Sequence, residues 1–202
     1  MALLEYLHLP YTCRRVEPGE WEAEKTALVA QGFLLANLPY LRSGDSLLAE
    51  SSAILRRLCT HAGRTDLLPE AEEEDRFNEL SGAVAAFKDA TTPPFYTSTS
   101  PTQLLQELAP ALAALLPPFV ALLSQRSFLF GRLTWLDFPF AENIDMLLTA
   151  ETELGGALFE DGALLRAYVD RLAGLEGVDA YRASPHFAAR PFNASFFGAV
   201  WH

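Results

Sequence analysis

Two short apolar runs, Leu38 to Leu41 and Ser46 to Ala49, flank the turn signal Ser43-Gly44-Asp45, and Ile54, Leu55 and Leu58 follow at helical spacing. That pattern predicts a β-hairpin feeding a helix from Ser51 to His61 that stops at Gly63. Upstream, Leu3, Leu4 and Leu7 share one face of a helix over Ala2 to Leu9, closed by Pro10. The β-branched and aromatic residues of Tyr11 to Glu17, ended by Pro18-Gly19, predict a strand. A helix over Glu20 to Ala30 follows and ends at Gln31-Gly32. Pro39 heads the first hairpin strand, where it cannot donate to a ladder and so marks an edge, a bend or a cis peptide. The order helix, strand, helix, strand, strand, helix is an α/β pattern.

Beyond Arg64 the period changes. A linker with Pro69 and the acidic run Glu70 to Asp75 separates the mixed half from one in which nothing predicts a strand. Apolar spacing predicts helices over Glu72 to Lys88, Gln103 to Ser124, Phe138 to Leu148, Gly162 to Ala173 and Val178 to Ala183, hence an all-helical bundle. Thr91 to Thr102, TTPPFYTSTSPT, predicts a polar crossover loop. Thr134 and Asp137 have the spacing of a capping box, with Thr134 as N-cap and Asp137 at N3, ahead of an apolar helix buried in the bundle.

Composition narrows the function classes. The 202 residues are 50% hydrophobic, enough to bury a core, and the formal net charge of −11 opposes phosphate backbones and anionic lipid, so neither nucleic acid nor membrane insertion is expected. Leu104 to Leu123 is apolar but interrupted by Glu107, Pro110, Pro117 and Pro118, which predicts a broken bundle helix, not a membrane span. Cys13 and Cys59 are two, far apart and without metal-ligand spacing. A cytoplasmic or other reducing compartment, no metal and no resident cofactor are the corresponding expectations.

The candidate chemistry sits at the end of the hairpin. Glu50-Ser51-Ser52 opens a helix whose free backbone N–H groups can hold an anion, with a serine hydroxyl as cap, and a carboxylate-bearing ligand suits that position. Trp21 and Lys25 lie four residues apart on the preceding helix, on one face.

Three stretches in order, NLPYLRSGDSLLAESSAIL (Asn37 to Leu55), GRLTWLDF (Gly131 to Phe138) and the tail from Gly174 to Trp201, resemble the cytosolic glutathione S-transferases, the mu class above all. The resemblance implies an N-terminal thioredoxin-like domain lacking its first strand, over 1–64, a linker over 65–75, and an all-α C-terminal domain over 76–202. It implies that Pro39 is a cis proline shaping the glutathione loop, that the Leu38 backbone pairs with the cysteinyl part of glutathione, that Asn37 beside it is a glycyl-side contact, and that Glu50 and Ser51 grip the γ-glutamyl end. Trp21 and Lys25 match the class's WxxxK, whose cation meets the glycyl carboxylate.

The chain departs from that pattern in three places. Met1 falls within what matches the family's first helix, so the first strand and the catalytic tyrosine, serine or cysteine have no counterpart, and Tyr6 aligns with an ordinary helix tyrosine. Gly82 to Phe87, with Asp89 nearby, stands where a mu-class partner offers an acid, and Pro117-Pro118 interrupts the helix lining the second-substrate pocket. A thiol near pKa 8.5 needs a donor aimed at the sulfur to react as thiolate at neutral pH, and losing one such donor costs about 10²–10³ in rate. The expectation is a transferase-like protein, impaired as a catalyst, serving as an interaction module or structural subunit with a protein partner, either a homodimer or a larger assembly. The alternative is an active mu-like transferase conjugating glutathione to small electrophiles, in which Tyr11, Tyr96, a backbone group or sequence upstream of Met1 supplies the donor.

Overall fold

Local signals set the element boundaries in the N-terminal half. The computed structural model describes residues 1–14, 16, 19–155 and 158–188, so the end of the tail stretch, from 189 to Trp201, lies outside the described residues. Helix α1 (Ala2–Tyr6) buries Leu3 and Leu7 and stops earlier than its apolar spacing predicts. The reason is a Schellman closure, in which His8 takes a left-handed φ of 51° and the N–H of Leu9 donates to the Leu4 carbonyl at 3.1 Å. Helices α2 (Trp21–Ala30) and α3 (Ser51–His61) end in the same closure with Gly32 and Gly63 at the left-handed position.

Strands β1 (Tyr40–Ser43) and β2 (Ser46–Ala49) pair antiparallel, Tyr40 opposite Ala49 and Ser43 opposite Ser46, around Gly44-Asp45. They are the only strands among the described residues. The strand predicted for Tyr11 to Glu17 is absent from its described part, residues 11–14 and 16; positions 15 and 17 lie outside the described residues. Strand propensity there meets no ladder partner, and the side chains turn to helices instead: the Tyr11 hydroxyl donates to Glu5 Oε1 at 2.5 Å and Arg14 reaches Glu24.

The helical half begins after two short 3₁₀ turns, Thr65–Leu67 and Ala71–Glu73, the second closed by a reciprocal capping box between Glu70 and Glu73. It comprises α4 (Glu74–Thr91), α5 (Pro94–Thr97), α6 (Pro101–Leu115), α7 (Pro117–Leu123), α8 (Asp137–Leu154), α9 (Gly162–Ala173), α10 (Val178–Arg182) and α11 (Pro185–Ala188). Phe87, Phe119, Phe140 and Tyr168 form an aromatic column through its core, with Phe119 and Phe140 centroids 4.5 Å apart. Pro117 and Pro118 start α7 and bend it 56° from α6. No single helix among the described residues is long and apolar enough to cross a membrane.

Thr91 to Thr102 is not the loop that its polarity predicts. Its first residue completes α4, α5 occupies its centre, and Ser100 accepts from the Gln103 N–H at 3.2 Å to start α6, with Pro101 as first helical residue. Ser98 is buried and donates to Glu107 Oε2.

Arg132 joins the two halves, donating to the carbonyls of Asp66 and Leu68 at 3.0 Å each and to Glu73. Arg64 ties α1 to the start of the linker, reaching the Tyr6 hydroxyl at 2.9 Å while pairing with both oxygens of Asp66. Where α1 crosses the start of α10, a Cβ on Gly177 would lie 2.6 Å from the Glu5 carbonyl oxygen, so only glycine allows that approach.

Candidate functional site

The antiparallel register assembles the site. Because Tyr40 faces Ala49, the residues just before β1 and just after β2 leave the hairpin at the same end, so Asn37, Leu38 and Pro39 stand beside Glu50 and Ser51. The Leu38–Pro39 peptide is cis. The Leu38 N–H donates to the Asn37 side-chain oxygen at 2.9 Å, so the loop satisfies that amide from within.

Across from it, α3 starts abruptly. Glu50 sits at the N-cap with φ 70° and ψ 116°, a backbone conformation that non-glycine residues rarely adopt, and its carbonyl accepts the Ile54 N–H at 2.9 Å. Ser51, expected as a cap, is instead the first helical residue, and no side chain caps α3. The left-handed turn at Glu50 carries the chain directly into the helix and leaves no preceding residue in the extended geometry that a serine cap uses. The first backbone N–H groups of α3 therefore point out of the hairpin end without a side-chain partner, the arrangement that favours an anion.

Helix α2 carries Trp21, half-buried, and Lys25, exposed. What ties it to the hairpin is a polar cluster that sequence spacing does not reveal. The Tyr40 hydroxyl donates to Glu24 Oε1 at 2.5 Å and Arg14 donates to Glu24 Oε2 at 2.7 Å, while the Phe33 ring meets Tyr40 edge-on. The Tyr40 hydroxyl, and with it the Arg14 guanidinium, holds the Glu24 carboxyl below its usual range, and Glu24 in turn raises the Tyr40 hydroxyl.

The remaining tyrosines are committed elsewhere or stand in solvent. Tyr6 receives Arg64 and packs its ring on Phe138. Tyr11 is bonded to Glu5, and burial together with that carboxylate raises its hydroxyl well above the ordinary tyrosine range. Tyr168 donates to Asp137, and Tyr181 packs on Phe187. Tyr96 is 58% exposed on α5. Of the two free thiols, Cys13 is exposed and Cys59 is fully buried, where burial pushes it up to about 12.

A second helix start, also without a side-chain cap, is enclosed by its neighbours. At α8 the buried Asp137 carboxylate accepts from the N–H groups of Leu129 and Thr134 at 2.9 Å each, from the Thr134 hydroxyl at 3.1 Å and from the Tyr168 hydroxyl at 3.0 Å. Burial pushes this carboxyl up while those four donors pull it down. The return bond from Asp137 to the Thr134 backbone is the one the capping-box spacing predicts. The Thr134 hydroxyl, however, donates to the carboxylate and does not cap the helix, because α8 begins only at Asp137 and Leu136 holds the N-cap position.

No protein-family model matches the chain. It is 30% identical to glutathione S-transferase 2 of Gallus gallus over 99% of this chain and 90% of that protein. It is also 30% identical to glutathione S-transferase Mu 1 of Bos taurus, over 98% and 90%. Among solved structures, the glutathione S-transferase Blo t 8 superposes with a TM-score of 0.75 at 25% identity, covering 96% of this chain and 90% of that one. With the two-stranded hairpin, the cis Leu38–Pro39 peptide and the all-helical second half in the same order, the chain belongs to the glutathione S-transferase family.

Proposed function

We propose that this chain retains a mu-like glutathione cradle, is impaired as a catalyst, and acts as an interaction module or structural subunit, as a homodimer or within a larger assembly. In this reading Trp21 and Lys25 meet the glycyl end of glutathione with Asn37 beside them, Leu38 the cysteinyl part, and Glu50 and Ser51 the γ-glutamyl end. Residues 1–64 carry the cradle, 65–75 link it, and 76–202 form the helical domain. The observation that carries the impaired reading is the engagement of the tyrosines: the Tyr11 proton is held by Glu5 and the Tyr40 proton by Glu24. Neither hydroxyl is spare to hold a thiolate, Tyr96 stands 58% exposed in solvent on α5, and a donor of that kind is worth about 3–4 kcal/mol in the transition state.

The interaction role draws on a surface beside the cradle. Leu34 and Leu35 are 76% and 83% exposed, and Leu38 is 42% exposed in the same segment. The two hairpin strands also leave unpaired outer edges among the described residues. A protein partner covering this segment removes both features from water.

The second reading, an active transferase conjugating glutathione to small electrophiles, is favoured by the register that gathers Asn37, Leu38, Glu50 and Ser51 at one end. Two measurements separate the readings: retention on immobilised glutathione, and turnover of an aryl-halide acceptor. Retention without turnover is the expected result, together with a light-scattering mass above that of one chain that falls for Leu34→Asp/Leu35→Asp. Turnover that disappears in Ser51→Ala overturns the proposal.

A further inference from the structure

Helix α2 is weakly held by apolar contact. Leu28 is its buried residue, and Leu28 lies outside the large cluster that unites α1, α3 and the helical half. The hydrogen bonds from Tyr40 and Arg14 to Glu24 cross to α2 at its middle, between Trp21 and Leu28 on the same face. Both oxygens of the Glu24 carboxylate are used, and its side chain is only 13% exposed although it lies at the protein's edge. Charge-assisted bonds of this kind are shorter and stronger than neutral ones. Tyr40 is in turn two residues from Leu38 and paired to Ala49, the residue before Glu50.

We infer that Glu24 and Tyr40, braced by Arg14, form a latch that sets the distance between the Trp21/Lys25 face of α2 and the hairpin end, and so position the groups that meet the glycyl end of glutathione. The inference rests on the glutathione-binding reading above. Neither Glu24 nor Tyr40 touches the ligand in it; both act through α2. The latch bears on one part of the ligand, because Leu38, Glu50 and Ser51, which meet the cysteinyl and γ-glutamyl parts, flank the hairpin and open α3, outside α2.

That specificity gives the test. Glutathione and γ-glutamylcysteine, which lacks the glycyl residue, are titrated calorimetrically against the full chain, Tyr40→Phe, Glu24→Gln and Glu24→Ala, and amide exchange of α2 is followed without ligand. Tyr40→Phe is expected to weaken glutathione about tenfold, the scale of one lost charge-assisted hydrogen bond, while γ-glutamylcysteine binding stays within about twofold. Exchange in α2 speeds up, that in α3 and α4 does not, and Glu24→Gln, which keeps an acceptor for Tyr40, recovers part of what Glu24→Ala loses. Unchanged α2 exchange in Tyr40→Phe overturns the latch whatever the ligand does. Equal weakening of both ligands overturns its positioning role. A native chain that binds neither ligand overturns the glutathione reading, and with it the positioning role, whereas faster α2 exchange still supports the clamp on the helix.

Discussion

The starts of α3 and α8 both lack a side-chain cap and differ in what surrounds them. Each helix has backbone N–H groups with no partner inside the helix. At α8 the first N–H groups reach carbonyls of the preceding turn, Asp137 to Thr134 at 3.2 Å and Phe138 to Trp135 at 3.4 Å, and the fully buried Asp137 carboxylate ties that turn down by accepting from Leu129, Thr134 and Tyr168. At α3 the preceding residue is forced into a left-handed conformation, no side chain caps the helix, and Glu50 is exposed. The first arrangement closes a helix into the core. The second leaves donors facing outward beside a loop whose own amide is already satisfied, which stabilises nothing in the fold and leaves a place for an anion. Under the proposed reading, stability and binding fall to different helix starts, and substitutions at the two should separate cleanly.

The largest effect is expected at the closed start. Asp137→Ala strands the N–H groups of Leu129 and Thr134 and the Tyr168 hydroxyl in the interior, and each buried unpaired polar group costs on the order of 1–3 kcal/mol. The sum is comparable to the total stability of many domains, about 5–15 kcal/mol. A urea titration of Asp137→Ala should therefore show a midpoint displaced far downward or no folded baseline at all. A loss below about 1 kcal/mol would mean that the loop and α8 rearrange together, and that the closed start is less decisive than its geometry implies.

The open start should respond in the other direction. Glu50→Gly removes the cost of a non-glycine residue at φ 70°, about 1–3 kcal/mol, and adds back a smaller entropic cost in the unfolded chain. The expected outcome is a gain of about 1 kcal/mol, read as a higher thermal midpoint, accompanied by weaker retention on immobilised glutathione if the carboxylate serves the γ-glutamyl amine. A stabilised variant with unchanged retention would remove Glu50 from the cradle while leaving the strain argument intact.

The fold was legible where local chemistry and global packing agree. Gly44-Asp45 between two apolar runs specifies the hairpin, Gly63 stops α3, and the apolar period over Gly162 to Ala173 coincides with α9. It was illegible where a local signal had no tertiary partner or where two signals competed. Tyr11 to Glu17 has strand composition but no neighbouring strand among the described residues, and the polarity of Thr91 to Thr102 masks the Ser100-Pro101 helix start. That Asn37, Leu38, Glu50 and Ser51 meet at one hairpin end was legible because a motif contiguous in sequence builds that end. The bond from Tyr40 to Glu24 spans 16 residues and joins two elements, so no spacing rule within either element points to it. Likewise Ser51 has the composition of a cap, yet capping depends on the backbone angles of the residue before the helix, which Glu50 sets.

The smallest stability effect gives the sharpest discrimination. If Ser51 capped α3, Ser51→Ala would cost about 1 kcal/mol, the usual loss for removing such a cap. The structure places its hydroxyl on the first helical residue with no cap bond, and alanine has the better intrinsic helix propensity, so the expected change in stability is within about 0.5 kcal/mol of zero. Any loss of glutathione retention in this variant then cannot be charged to the fold. Equilibrium unfolding and ligand retention measured on the same preparation decide the matter: a stable chain that no longer binds identifies the open start as a ligand site. A chain destabilised by a full kilocalorie makes it one more capped helix, and the contrast with Asp137 disappears.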